Sequence, residues 1–506
     1  MFQSLGIGMI ARGLWFCGFA GLALLAALGC GTKKPPLPEP DKYPVRADWL
    51  VVTVPSSSGQ PSKWYEPGYP PLLMLDRPFD TLGGDDALLA GQVRNRVILN
   101  TSSRMIVDSR GKQPTESRVE EEIRDEFAKV LTERFGTPIE PRVPSGEMLV
   151  AYLKLDEKLK TVEKNLADKE KEFATFQTNA KGPDDQPVLN LLIDQVKAAT
   201  KEVAKASDQI EHLQAYESEL KLDQSTLKTG GVLFRSYCQQ CHGLTGDGNG
   251  PGGKYLIPLP RDYRAGLFKF ITTDPSLGTK RKPRREDLYR TITKGLDGSP
   301  MPQFAALKEG EIQALISYVI HLSMRGEAEY EVMKKAADPG GDGMTPEEVR
   351  KGLLQQSGTI APLWIASARK PLVPDPNPYS TELQVLDSAA NGHKLFTSAA
   401  VACTTCHTGY GRSSPFQFDA WGSITRPRNL TVATLRGGRK PEEIYARIYG
   451  GILGVNMPEH SHLRPTQEDK EKGVDKIWDL VNFVIYAAES EKRQILKERY
   501  QIEMEP

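Results

Sequence analysis

Cys238-Gln239-Gln240-Cys241-His242 and Cys403-Thr404-Thr405-Cys406-His407 are two copies of Cys-X-X-Cys-His in one chain of 506 residues. That pattern is the attachment site of c-type haem. Two thiols three positions apart reach the two porphyrin vinyl groups from one helical turn and become thioethers. The adjoining histidine then lies under the iron and offers its imidazole as the proximal ligand. A zinc site would need two further ligands at short spacing after each pair, and none follow. A thioredoxin-like pair does not call for the histidine, let alone twice.

The same landmarks recur around both motifs. Gly230 and Phe234 precede the first, and Gly392 and Phe396 the second. Pro260-Arg261-Asp262 is matched by Pro427-Arg428-Asn429, and Glu286-Asp287-Leu288-Tyr289 by Glu442-Glu443-Ile444-Tyr445. Each tyrosine stands twelve residues before a Met-Pro pair, Met301-Pro302 and Met457-Pro458. Apolar helices over 312–322 and 477–487 close the two copies, and Tyr318 in one matches Phe483 in the other. Five landmarks in one order mark an internal repeat.

This order resembles class I cytochrome c, over roughly 224–325 and 380–490. The resemblance implies two small helical domains, each holding one haem c. It implies that Gly230 and Phe234 pack on Tyr318, and Gly392 and Phe396 on Phe483. It also implies that Pro260 and Pro427 offer their carbonyls to the free N–H of the haem histidines, orienting the rings and raising their basicity. The second copy departs from the pattern, since Phe396 to Cys403 is three residues longer than Phe234 to Cys238. Met301 and Met457 are the candidate distal ligands. A thioether is a soft, weak donor that favours ferrous iron and raises the potential. A Met-Pro pair in a Gly-rich loop, fifty to sixty residues after each haem histidine, is not a typical place for a core-filling methionine. His460 and His462 are alternatives to Met457. His321 and His393 read as structural.

Outward from these modules the signals weaken. Residues 326–379 read as a linker and 491–506 as a C-terminal tail. Upstream, Leu155, Leu159, Val162, Leu166, Phe173 and Phe176 follow Tyr152 in three- and four-residue steps. A second series runs from Leu189 through Leu192, Val196, Ala199, Val203, Ala206, Ile210 and Leu213 to Glu217 and Leu220. Gly182-Pro183 lies between them, so 146–223 reads as an antiparallel, coiled-coil-like helical hairpin. It is a spacer, a docking arm or a dimer seam. Residues 30–145 read as a tether and small N-terminal region, with a strand-like run at 50–54 and a helix over 117–135.

Arg12 and the apolar run 13–28 read as a signal peptide over 1–29. At 1.5 Å per residue the run falls short of a ~30 Å hydrocarbon core. Ala27-Leu28-Gly29-Cys30 resembles a bacterial lipobox, with leucine second where it usually comes first, and makes Cys30 the expected lipidation site. Lys33-Lys34-Pro35-Pro36 then opens a polar tether. An uncleaved anchor or a plain secreted protein are the alternatives.

Four of six cysteines belong to the haem motifs and the others, Cys17 and Cys30, lie in the first thirty residues, so this is no disulfide-stapled protein. Lys+Arg and Asp+Glu both total 65, which by itself argues neither for nor against nucleic acid. No nucleotide motif, hydrolytic triad or further metal cluster stands in the chain, and no nucleic-acid partner is expected. Lys280-Arg281-Lys282 and Arg284-Arg285 read as a solvated basic loop, or as a patch that steers an acidic redox partner. The fold expected is mainly α, with two class I cytochrome c-like domains behind the hairpin. The function expected is electron transfer, not enzymatic turnover, by a periplasm-facing lipoprotein of the bacterial cell envelope with two haem c. It serves as a carrier between redox donor and acceptor proteins, or as a haem subunit of a respiratory complex. A dihaem peroxidase is the alternative.

Overall fold

In this computed structural model, four short strands between residues 50 and 118 are described, together with residues 121–504 except 181, 249, 257, 337–342, 421–423 and 433. The signal, the tether and Cys30 lie outside the described residues. The described part is mainly helical. Strands β1 (Leu50–Thr53), β2 (Ile98–Asn100), β3 (Met105–Asp108) and β4 (Ser117–Arg118) form one sheet in the order β2-β3-β1-β4. β1 runs parallel to β3 and antiparallel to β4. The helix expected over 117–135 therefore begins later, as α1 (Glu121–Phe135), because Ser117 and Arg118 are used in pairing with β1.

In α1, Ile123, Phe127, Val130, Leu131 and Phe135 recur at three- and four-residue steps and are all buried. Helix α2 (Gly146–Tyr152) starts where the Ser145 hydroxyl accepts from the Met148 N–H. Lys154 adopts a left-handed conformation and breaks the chain before α3 (Leu155–Asn179). Tyr152 is thereby left exposed and off the seam that its spacing suggested. A turn at Pro183–Asp185 leads into α4 (Gln186–Glu219), which packs on α3. Along α3 and α4 the seam positions are half-buried or buried and most of the remaining surface is exposed. Glu217, polar within its series, accepts from the Gly146 N–H at 2.9 Å and so closes the start of α2.

The first module comprises α5 (Gln224–Tyr237), the single turn α6 (Gln239–His242), α7 (Arg285–Lys294) and α8 (Glu309–Ala336). α8 runs well past residue 322, and α9 (Pro346–Arg369), capped by Thr345 and Glu348, packs on α8, α4 and α1. Residues 326–379 are thus largely a helical brace with Val332, Leu353, Trp364 and Ile365 in the core, not a loose linker. The second module holds α10 (Glu382–Thr397), strands β5 (Gln417–Phe418) and β6 (Ile424–Thr425), α11 (Pro441–Gly450), α12 (Gln467–Glu471), α13 (Lys476–Ala488) and α14 (Ser490–Tyr500). The segment read as a tail belongs to this core, since Leu496, Ile502 and Met504 are buried in it.

Both modules rest on one crossing of a first and a last helix. A Cβ on Gly230 would stand 2.2 Å from the Ala314 carbonyl oxygen, and one on Gly392 would stand 2.0 Å from that of Asp479. Phe234 meets Tyr318 at 5.3 Å between ring centroids, and Phe396 meets Phe483 at 5.1 Å.

In the basic run at 280–285 Lys280 is exposed, but Arg281, Lys282 and Arg285 are tied into other elements and do not form a solvated or steering patch. Lys282 is buried on Glu327 at 2.7 Å, and Arg281 is buried on the Gly450 carbonyl of the second module. Arg285 donates to the carbonyls of Leu220 and Gln313. A count of charges cannot distinguish this tie between elements from a surface patch.

His321 is fully buried with Nε2 at 3.0 Å from the Phe135 carbonyl, and burial pushes its pKa down to about 4. The folded value lies below the unfolded one, near 6.5. Its contribution is therefore complete above about pH 6.5 and is lost as pH falls toward 4, by on the order of 3 kcal/mol. His321→Gln, whose amide can still donate to that carbonyl, should flatten the pH dependence of urea unfolding between pH 6.5 and 4. An unchanged slope would show that another group carries it.

Candidate haem sites

The two Cys-X-X-Cys-His turns fold alike from different approaches. In the first, α5 runs almost into the motif, and the N–H groups of Cys241 and His242 both bond the Cys238 carbonyl, at 3.1 and 2.8 Å. In the second, the three extra residues form a turn after α10 in which Ala402 is left-handed. Cys406 and His407 then bond the Cys403 carbonyl at 3.2 and 2.9 Å, the same pair of bonds.

Each histidine is held by a backbone carbonyl. His242 Nδ1 lies 3.0 Å from the Arg261 oxygen, and His407 Nδ1 lies 3.0 Å from that of Arg428. Fixing Nδ1 as the donor leaves Nε2 with its lone pair for iron. The acceptors expected were Pro260 and Pro427, one residue earlier. The Pro260 carbonyl instead presses on Gly248, whose added Cβ would meet it at 2.5 Å. Carbonyls of successive residues in an extended stretch point opposite ways, so a slip of one residue changes the acceptor. Both prolines still line the cavity. Burial pushes His242 down to about 4 and His407 downward too, which keeps both imidazoles in the neutral form that ligates metal. Burial likewise pushes the Cys238 thiol up to about 12 and that of Cys403 up to about 11.

The sequence reading missed Tyr263, which stacks on His242 at 4.9 Å and 18° and is itself packed on Phe268. The turn that delivers the Arg261 carbonyl is locked just beyond it. Asp262 accepts from Arg264 Nε at 2.8 Å and Nη2 at 2.7 Å, both side chains buried. The run Pro-Arg-Asp-Tyr-Arg was the available signal, and only its first three residues have a counterpart in the second module. There Leu430 takes the Tyr263 position, and Tyr410 stacks on Phe396 instead. Gly243, Gly246, Gly248 and Gly250, which follow His242 in one turn, are not among the residues that line the cavity. That turn folds back on the motif's peptide groups, with Gly248 bonding the His242 carbonyl and Gly250 that of Cys241.

Met301 and Met457 close equivalent loops. Gly295 and Gly451 end α7 and α11, both at φ +67°. A Cβ there would strike the carbonyl of its module's methionine, at 2.7 Å and 2.8 Å. Both methionines, all four motif cysteines and both haem histidines line one continuous cavity of about 1390 Å³. That exceeds the roughly 300–1,000 Å³ of a pocket for one small ligand. His460 lines it as well, but His462 does not.

The cavity lining carries seven Lys or Arg side chains against the two carboxylates of Asp287 and Asp419. Lys269 of the first module donates to Asp419 of the second at 2.8 Å, and burial pushes it down to about 8. Burial pushes Arg261 and Arg447 down to about 10. Most of these cations are half-buried and outnumber the carboxylates, and the propionates of haem would be anions suited to that lining. Donor set, apolar walls and cationic lining all fit haem c.

Residues 225–319 match the family described as cytochrome c oxidase, cbb3-type, subunit III. This stretch is a cytochrome c domain. Haem c binding and a haem electron-transfer role follow from that domain. No curated protein matches the chain. A chain of the Kuenenia stuttgartiensis reducing HAO-like protein complex is similar at 23% identity, over 52% of this chain and 96% of that one, with a TM-score of 0.37.

Proposed function

We propose that this chain is a dihaem c-type cytochrome that passes single electrons between redox proteins, tethered by a lipid on Cys30 in the bacterial cell envelope. The observation that carries the reading is that both Cys-X-X-Cys-His turns, each with its histidine held by a carbonyl, open onto the same cavity as Met301 and Met457. The haem supplies the one-electron chemistry. Cys238 and Cys241, and Cys403 and Cys406, hold it covalently. His242 with Met301, and His407 with Met457, would hold the two irons. Arg261 and Arg428 fix the histidine tautomers through their carbonyls, and the cationic lining offsets propionate charge.

A continuous cavity between the motifs favours electron exchange within the chain, so that one haem faces a donor and the other an acceptor. The chain works either as a free carrier or as a haem subunit of a respiratory complex. If Met301 and Met457 hold the ferrous irons, neither haem should leave room for carbon monoxide or peroxide. The fully reduced chain should therefore not bind carbon monoxide tightly, and Met301→Ala should open the first iron to it. Tight binding by the unmodified chain, with peroxide turnover, would replace this reading with the peroxidase one. For the tether, buried acyl chain contributes ~0.8 kcal/mol per CH₂, so a multiply acylated terminus holds to a membrane. Cys30→Ser should move the chain out of the membrane fraction, and an unchanged distribution would reject lipidation there.

A further inference from the structure

The two modules run in register with a constant offset through the distal side, and among the positions where they differ one places a metal-ligating side chain in the second module alone. Tyr289, Ile292, Met301 and Leu307 correspond to Tyr445, Ile448, Met457 and Leu463. At the third residue after the methionine the first module has Phe304 and the second His460. The backbone makes equivalent bonds in both, with the His460 N–H shared additionally with the Tyr449 carbonyl at 3.1 Å. The Phe304 N–H donates to the Ile292 carbonyl at 2.9 Å, and that of His460 to the Ile448 carbonyl at 3.2 Å. The next bond also repeats, with Leu307 N–H on the Phe304 carbonyl and Leu463 N–H on that of His460. Both side chains line the haem cavity. His460 is more than nine-tenths buried, and its enclosed Nδ1 has no hydrogen-bond partner. A phenylalanine there is ordinary packing, whereas an unsatisfied buried imidazole is costly unless something binds it.

We propose that His460 is an alternative distal ligand of the second haem iron, competing with Met457 and favoured in the ferric state. It rests on the dihaem reading above. Burial holds the ring in its neutral, ligating form. An imidazole is a harder and stronger donor than a thioether, so ferric iron favours it while ferrous iron favours the sulfur. When the second haem passes one electron to an acceptor redox protein, the Met457 sulfur would leave the iron and a lone pair of the neutral His460 imidazole would take its place, with no proton released. The first module has only Phe304 at this position and cannot do this, so the two haems answer oxidation differently.

The test uses the full chain carrying both haems. Ferric Met457→Ala should stay low-spin with the electron paramagnetic resonance signature of two imidazoles, while ferric Met301→Ala becomes high-spin. Adding His460→Phe to Met457→Ala should make the second haem high-spin. In the oxidised unmodified chain the weak sulfur-to-iron band should have the amplitude of one haem, doubling in His460→Phe. A high-spin second haem in Met457→Ala, or a low-spin one surviving in the double variant, overturns the proposal. A full two-haem band that His460→Phe leaves unchanged overturns the ferric preference. Absence of covalent haem from the second module would instead overturn the dihaem reading, so the two failures are distinguishable by mass.

Discussion

Replacing Gly392 with alanine should destabilise the second module severely, and Gly230→Ala should do the same to the first. Each glycine lies where two helices touch backbone to backbone, and the added methyl would stand 2.0 Å from the Asp479 oxygen or 2.2 Å from that of Ala314. These neighbours are helix backbone and cannot swing away as a flexible side chain could. Beyond those carbonyl groups, the methyl would also meet the Cβ atoms of Phe483 and Tyr318, at 2.7 and 2.8 Å. Relief therefore requires the helices to separate by more than an ångström, which also pulls apart the Phe396–Phe483 or Phe234–Tyr318 pair beside the haem motif. The cost should reach or exceed the top of the roughly 1–3 kcal/mol usual for overpacking. Each kcal/mol should lower the module's Tm by about 4–8 °C. Gly310→Ala is the control. It lies at the start of α8 with nothing within 4 Å of an added Cβ, and should be neutral or stabilising by about 0.5–1 kcal/mol. Thermal melts followed at the haem absorption would settle it, and equal melting of Gly392→Ala and Gly310→Ala would refute the close crossing.

That crossing could be read because glycine and aromatic residues at fixed spacing, repeated twice, leave few ways to pack. The heptad positions of α3 and α4 could be read for a similar reason, since a single periodic stripe on each helix specifies one contact face. What could not be read turns on direction and company. The carbonyl that holds each haem histidine belongs to Arg261 or Arg428, because the acceptor depends on which way one peptide plane turns. The buried roles of Arg281 and Lys282 depend on Gly450 and Glu327, residues distant in sequence that composition cannot bring together. α9 carries no haem landmark, and only its packing on α1, α4 and α8 reveals it as a brace. His460 and His462 looked equivalent as neighbours of Met457. The fold separates them, placing one on the cavity and the other in solvent.

A chain with Cys403→Ser and Cys406→Ser should keep one haem increment in its mass after acid–acetone extraction, where the unmodified chain keeps two. Acid–acetone strips haem that is held only by axial ligands and packing, while thioethers survive it. Each thioether forms when a thiol adds across a vinyl double bond, the sulfur joining one carbon and the proton passing to the other. No oxidant is consumed, and a serine hydroxyl is too poor a nucleophile to replace the thiol. The Cys403 carbonyl still accepts from Cys406 and His407 whatever the side chain, so the double substitution leaves the backbone turn and His407 in place. The loss should therefore be of one covalent haem, with the first module's absorption retained. The reciprocal pair, Cys238→Ser with Cys241→Ser, should lose the other increment, and a chain with serine at all four positions should keep none. The second module is the sharper case. Its motif follows a longer approach through the left-handed Ala402, yet it forms the same two bonds to its first cysteine. If that shared turn is what presents two thiols and an imidazole to one porphyrin, both modules must be loaded. One increment in the unmodified chain would mean that the longer approach defeats attachment. Two increments in the fourfold variant would mean that the thiols are not the point of attachment at all.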